Sequence, residues 1–138
     1  MFVVDAMTRQ PYSCGAQTSV REAMRLLFEN DIRHLPVVDG ALLVGIVSIR
    51  DLPAVVPTGV AYFGDPHQVE RLLDQPVSNL MTSDVISVLQ TSGLGRAIDL
   101  MLKYKIGALP VVAADGRTLI GILSYADALR AVRPLLRD

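Results

Sequence analysis

IRHLPVVDGALLVGIVSIRD, residues 32–51, packs a strand, a turn, a second strand and the start of a helix into one run. Leu35 to Val38 is a short apolar segment. Asp39-Gly40 follows, a pair that tolerates the positive φ of a tight hairpin. Leu42 to Val47 is the return strand, and Ser48 to Asp51 reads as a helix start. The stretch recurs near the C-terminus as IGALPVVAADGRTLIGILSYAD, residues 106–127, with two extra residues before an Asp115-Gly116 turn. One design is written twice.

Working outward, Val3 to Thr8 (VVDAMT) is echoed by Val77 to Thr82 (VSNLMT), and the offset stays constant up to Val38 and Val112. In each copy the first strand is expected at Pro11 to Cys14 and at Val85 to Val88, the latter richer in β-branched residues. Ser19 and Glu22 have capping-box spacing. Val20, Ala23, Met24 and Leu27 then mark one face of a helix running to about Glu29. Leu94, Ala97, Ile98 and Met101 repeat the stripe, although Gly93 and Arg96 have lost the box. A helix between two strands implies a crossover with those strands parallel, and the hairpin adds an antiparallel third. The expected fold is therefore α/β (α+β): two β-α-β-β-α repeats, residues 1–52 and 77–138, packed sheet to sheet with pseudo-twofold symmetry. Residues 53–76 are read as a linker. A short helix is expected there, with Asp65 as cap, Pro66 in the first turn, and Val69, Leu72 and Leu73 as its apolar face. Gly59 to Gly64, with Tyr62 and Phe63, reads as a loop over a cleft or as a patch of core.

The chain has 138 residues, enough for one domain or for two half-domains sharing a core. Thirteen basic and 14 acidic residues nearly cancel and no basic block stands out, which argues against a nucleic-acid surface. The composition is 51% hydrophobic, yet every apolar run is broken well before the roughly 18 residues of a membrane span. The opening MFVVDAMTR lacks the pattern of a secretory signal, and the single cysteine permits no internal disulfide, so a cytoplasmic protein is expected.

With both copies in view, VVDAMT, SVREAMRLLFENDIRHLPVVDG and LVGIVSIRDL, echoed by VSNLMT, IGALPVVAADG and LIGILSYADAL, resemble the CBS-domain family over nearly the whole chain except the linker. The resemblance implies a tandem CBS pair, or Bateman module, that binds an adenosine-containing ligand (AMP, ADP, ATP, S-adenosylmethionine or NAD) in a cleft between its repeats. It further implies a homodimer, regulation of a protein partner, no membrane or nucleic acid, and no catalysis or catalytic cofactor. The other reading is an assembly module that binds no ligand. An enzyme subunit whose chemistry resides elsewhere is the third.

Residues 45–51 and 121–127 both fit GxxSxxD, which in the family serves the nucleotide sugar. Asp51 and Asp127, with Ser48 and Ser124, are accordingly the ribose candidates. An ionised Asp accepts from both ribose hydroxyls, and bonds to a charged acceptor are worth about 1.5–3 kcal/mol. The same spacing is also that of a capping box, and helix stability alone would explain it. Arg33 and His34 stand where nucleotide-binding relatives carry cations for phosphate, with Arg50 a further candidate. Gly107 and Ala108 replace the first two in the second copy, so the copies are unequal, which favours one occupied site over two, or one phosphorylated ligand beside a less charged one. Ser13 and Ser87 are candidate polar contacts or ordinary strand residues. Tyr12, Ile86, Pro36, Val37, Pro110 and Val111 are candidates for an adenine slot or for core.

Residues for other chemistry are sparse. The two histidines, His34 and His67, form no HExxH or HxH. Cys14 reads as a small core residue, and neither a phosphate loop nor a strand-linked GxGxxG occurs.

Overall fold

The structure, a computed structural model, describes residues 1–52 and 66–138. Its strands and α-helices run β1 (Thr8–Arg9), β2 (Cys14–Gly15), α1 (Val20–Glu29), β3 (His34–Asp39), β4 (Leu42–Ser48), α2 (Pro66–Asp74), β5 (Val88–Leu89), α3 (Leu94–Tyr104), β6 (Ala108–Val112), β7 (Leu119–Ser124) and α4 (Tyr125–Val132). The fold is α+β with two small sheets. One is ordered β1-β7-β6-β5 and the other β2-β3-β4. The crossover strands are parallel, with Cys14 opposite Val37 and Val88 opposite Val111, and β6 runs antiparallel to β7. Gly40 and Gly116 close the two hairpins at φ values of 60° and 72°, the conformation those turns require. Asp115 braces the second turn by accepting from the amides of Arg117 and Thr118, both at 2.9 Å, and from the Thr118 hydroxyl.

Two strand expectations are corrected. The first strand of each copy begins at Cys14 and Val88, not at Pro11 and Val85. Pro11 has no amide hydrogen to give a ladder, and Tyr12 and Ser13 are exposed. The capping box at Ser19 is only half formed. Ser19 Oγ accepts from the Glu22 amide at 3.1 Å, but the Glu22 carboxylate is taken by Arg25, at 2.8 Å through Nε. Helix α3 starts at Gly93 with no side-chain cap. The linker helix is α2, with Leu72 and Leu73 packed on a core; Asp65 and the Gly59 to Gly64 segment lie outside the described residues.

The chain divides into two compact units that do not follow the sequence repeats. One comprises residues 1–11, 41–43 and 85–138, the other 12–40 and 44–84. Each opening segment has changed places. Val77 is fully buried with Val20, Ala23, Leu27, Leu35, Val37, Val47 and Leu52, whereas Val3 is fully buried with Leu94, Ala97, Met101, Leu109, Val111 and Leu123. The backbone repeats the exchange bond for bond. The Val77 amide donates to Thr18 O (2.7 Å), Ser78 to Ala16 O (3.1 Å) and Val20 to Gln75 O (3.0 Å); in the other unit Val3 donates to Ser92 O (2.8 Å), Val4 to Gln90 O (3.0 Å) and Leu94 to Met1 O (2.9 Å). Each exchanged segment ends in Met-Thr beside a strand. Thr8 pairs with Ile122 of β7, and Thr82 with Ile46 of β4.

Candidate functional site

The two GxxSxxD stretches sit at the ends of β4 and β7, where strand gives way to helix. Their glycines are there because the Met-Thr segment passes too close for a side chain. A Cβ on Gly45 would lie 2.5 Å from Met81 Sδ and 3.1 Å from Thr82 O. One on Gly121 would lie 2.8 Å from Met7 Sδ and 2.9 Å from Thr8 O. After each serine the chain is pinned back to the preceding strand by the same bond, Ile49 N–H to Arg33 O at 2.9 Å and Tyr125 N–H to Gly107 O at 3.0 Å. Arg33 is thereby fixed beside Ile49, at the start of the turn that carries Asp51, while Gly107 offers no side chain at the equivalent point.

In the first copy Ser48 donates both its amide (2.7 Å) and its hydroxyl (3.1 Å) to Asp51 Oδ2. Among the described residues nothing is bonded to Asp51 Oδ1. Only a single 3₁₀ turn, Ile49–Asp51, follows here before the described residues end at Leu52. His34 feels this carboxylate together with Arg50 and Arg33. Burial holds the His34 imidazole below its ordinary value of 6.5, Arg50 and Arg33 push the same way, and Asp51 opposes them. Both arginines are exposed and His34 is half-buried.

The second copy forms a complete capping box. Ser124 N–H donates to Asp127 Oδ2 at 3.0 Å and Asp127 N–H donates to Ser124 Oγ at 3.1 Å. Asp127 is buried, 8% exposed, and also accepts from the Thr8 hydroxyl, which lies 3.2 and 3.3 Å from its two oxygens, and from Arg130 at 3.3 Å. Thr8 and Arg130 were not among the residues singled out from the sequence. The signal for Thr8 was the repeated Met-Thr ending.

The remaining candidates divide by burial. Val37 and Val111 are fully buried in the hydrophobic clusters of their own units, and Pro36 and Pro110 are buried beside them in β3 and β6. Ile86 packs partly buried on the second cluster and Ser87 is half-buried, while Tyr12 and Ser13 face solvent. Cys14 is buried in the first cluster, and desolvation pushes its thiol up to about 11, far from a thiolate. Among the described residues no His, Cys, Asp and Glu cluster has the makings of a metal site, and no helix is long and apolar enough to cross a membrane.

Paired α+β units that each carry a strand-to-helix serine–aspartate turn define a tandem-repeat module. The chain belongs to the CBS-domain family, whose model matches residues 3–56 and 77–134. It is 38% identical over 125 residues to a homoserine O-acetyltransferase of Methanocorpusculum labreanum, covering 90% of this chain but 23% of that protein. It is 33% identical to the chloroplastic CBS domain-containing protein CBSX2 of Arabidopsis thaliana, spanning 58% of its length. The crystal structure of CBSX2 in complex with AMP superimposes with a TM-score of 0.81, covering 99% of both chains. The CBS domain pair of MJ0100, in complex with 5′-methylthioadenosine and S-adenosyl-L-methionine, is 26% identical with a TM-score of 0.78, covering 99% of this chain and 98% of that one.

Proposed function

We propose that this chain is a regulatory module that binds an adenosine-containing nucleotide through an aspartate of one of its GxxSxxD turns and signals occupancy to a protein partner. The observation that carries this reading is the half-used carboxylate of Asp51. One oxygen is held by Ser48, the other has no partner among the described residues, and His34 lies within electrostatic reach of Asp51, Arg50 and Arg33. A free carboxylate oxygen suits a ribose hydroxyl, and guanidinium groups suit phosphate. AMP in CBSX2 and the adenosine compounds in MJ0100 support the ligand class. Ser48 and Ser124 hold their aspartates, and the base is assigned to Tyr12, Ser13, Pro36 and Val37 in one unit and to Ile86, Ser87, Pro110 and Val111 in the other, of which Tyr12, Ser13, Ile86 and Ser87 are not wholly buried. The ligand is a signal and not a catalytic cofactor, and the module itself catalyses nothing. We assign it to the cytoplasm, with residues 1–52 and 77–138 as the two repeats and 53–76 joining them.

A homodimer belongs to the same proposal. Leu102 of α3 and Leu129 of α4 are each 66% exposed, and Tyr125 and Tyr104 are open to solvent on the same two helices. That apolar exposure also favours the second reading, an assembly module without a ligand. Thermal shift with AMP, ADP, ATP, S-adenosylmethionine and NAD, beside a size-exclusion mass measurement, separates the two. Saturating ligand raises the midpoint if it binds the folded state. Replacing both aspartates, Asp51→Ala with Asp127→Ala, is expected to weaken binding by about 2–4 kcal/mol. Unchanged affinity in the double variant refutes the ribose role, and a dimer with no shift for any of the five compounds favours assembly.

A further inference from the structure

We infer that the two motif copies do different work: Asp127 is an internal tie for the chain's own N-terminal strand, and the carboxylate left for a ligand is Asp51 alone, in a site selecting a phosphorylated nucleoside. The ligand half of this inference rests on the nucleotide-binding reading above, and the tie rests on geometry.

The copies share one backbone frame. Thr8 lies beside Ile122 as Thr82 lies beside Ile46, the glycine of each motif admits the Met-Thr segment, and the Ile49–Arg33 bond is matched by Tyr125–Gly107. A difference in side-chain bonding between the copies is therefore a difference in use, not in register. Asp127 is 8% exposed, and both of its oxygens are engaged, Oδ2 by the Ser124 amide and the Thr8 hydroxyl, Oδ1 by Thr8 and Arg130. A ribose diol would have to evict the Thr8 hydroxyl, exchanging one hydroxyl donor for another and removing the side-chain bond that backs the β1–β7 pairing. At Asp51, among the described residues, no such donor has to be evicted. Thr82 is exposed and, among the described residues, makes no bond to Asp51, so Oδ1 is open.

The charges follow the same division. Arg33, His34 and Arg50 of the first copy correspond to Gly107, Ala108 and Ala126 of the second, so all three cation positions are empty of charge there. Arg130 is the cation bonded to Asp127, and it sits outside those positions. A site with Arg33 and Arg50 within electrostatic reach of His34 favours an occupant carrying phosphate over neutral adenosine or 5′-methylthioadenosine.

Isothermal titration and thermal unfolding of the full chain test both halves, with AMP and adenosine as probes. One equivalent of AMP per chain is expected, bound at least about tenfold more tightly than adenosine, with Arg33→Ala erasing most of that preference. Asp51→Asn should weaken AMP at least about tenfold at an unchanged unfolding midpoint, while Asp127→Asn and Thr8→Val should keep AMP affinity within about threefold and unfold at lower temperature. The double variant Thr8→Val/Asp127→Asn should unfold no lower than the worse single one, because Thr8→Val deletes the donor of the bond whose acceptor Asp127→Asn weakens. Two equivalents of AMP, or a loss of AMP affinity in Asp127→Asn at an unchanged midpoint, overturns the inference. So do unshifted midpoints in both Thr8→Val and Asp127→Asn, or additive losses in the pair. If the wild-type chain binds neither probe, the nucleotide reading fails by itself and the unfolding cycle alone judges the tie. If Asp127→Asn does not fold, Thr8→Val, which removes only a hydroxyl, decides it.

Discussion

Gly121→Ala should be among the most damaging single-methyl additions to this protein, because the atom it meets is backbone. The new Cβ would stand 2.9 Å from Thr8 O and 2.8 Å from Met7 Sδ. The sulfur can swing aside; the carbonyl belongs to β1, which is paired with β7 at this very register, Arg9 opposite Gly121. Restoring an ordinary carbon–oxygen contact of about 3.3 Å moves Thr8 by about 0.4 Å. Added to the 3.2 Å and 3.3 Å that separate the Thr8 hydroxyl from Asp127, that displacement takes both distances to about 3.6 Å or beyond, where a hydrogen bond no longer exists. Overpacking costs about 1–3 kcal/mol, and losing a hydrogen bond to a charged acceptor costs about 1.5–3 kcal/mol more. The total, about 2.5–6 kcal/mol, corresponds to a fall in Tm of about 8 °C or more for a chain of this size. Gly45→Ala is the control. Its closest contact is the flexible end of Met81, and Thr82 O lies at 3.1 Å, so about 1–2 kcal/mol is expected. Urea unfolding of the two variants beside wild type makes the comparison. Equal losses, a reversed order, or a change within about 0.5 kcal/mol for Gly121→Ala would refute the reasoning.

Val77→Ala should lose about 2 kcal/mol in urea unfolding although Val77 opens the second sequence repeat, because it is fully buried among first-repeat side chains; Leu129→Ala, on an exposed helix face, should stay within about 0.5 kcal/mol. His34 is held below its ordinary value of 6.5 in the folded chain, so the unfolded chain binds the extra proton first. The stability it contributes is complete above pH 6.5 and is lost as pH falls from there toward the folded value. His34→Gln should therefore flatten the decline in urea midpoint between pH 7.5 and 5.5, and a variant with the wild-type slope would show the decline to arise elsewhere. Phosphate beside His34 stabilises the imidazolium, so AMP binding near pH 6 should take up protons, measured as a buffer-dependent binding enthalpy.

Local patterns carried most of the fold. The Asp39-Gly40 and Asp115-Gly116 turns, the apolar stripe of α1 and the position of both serine–aspartate turns all follow from residues within a few places of one another. What those patterns do not encode is destination. The stripe from Val3 to Met7 says that a face is buried but not in which core, and an exchange of two segments with the same Met-Thr ending leaves every local period unchanged. Two-residue strands such as β1, β2 and β5 are too short to show alternation at all. At the site, spacing placed serine and aspartate on one turn. It was silent on the Thr8 hydroxyl, which arrives from far along the chain to meet Asp127.

The glycine, serine and aspartate of the motif thus divide their labour in a way that explains how one pattern supports two uses. Glycine lets the Met-Thr segment lie against the strand, and the serine amide takes one carboxylate oxygen in both copies. What remains of the carboxylate goes to whichever donor stands nearest. Beside Asp127 that donor is built into the chain, and Gly107, Ala108 and Ala126 stand at the positions of the first copy's cations. Beside Asp51 no such donor stands among the described residues, and the neighbouring His34 feels Arg50 and Arg33. A carboxylate with an unused oxygen next to unpaired guanidinium groups is costly to leave so in a closed core but not at a surface open to a ligand. The half-buried setting of Asp51 and the burial of Asp127 are each what their bonding requires.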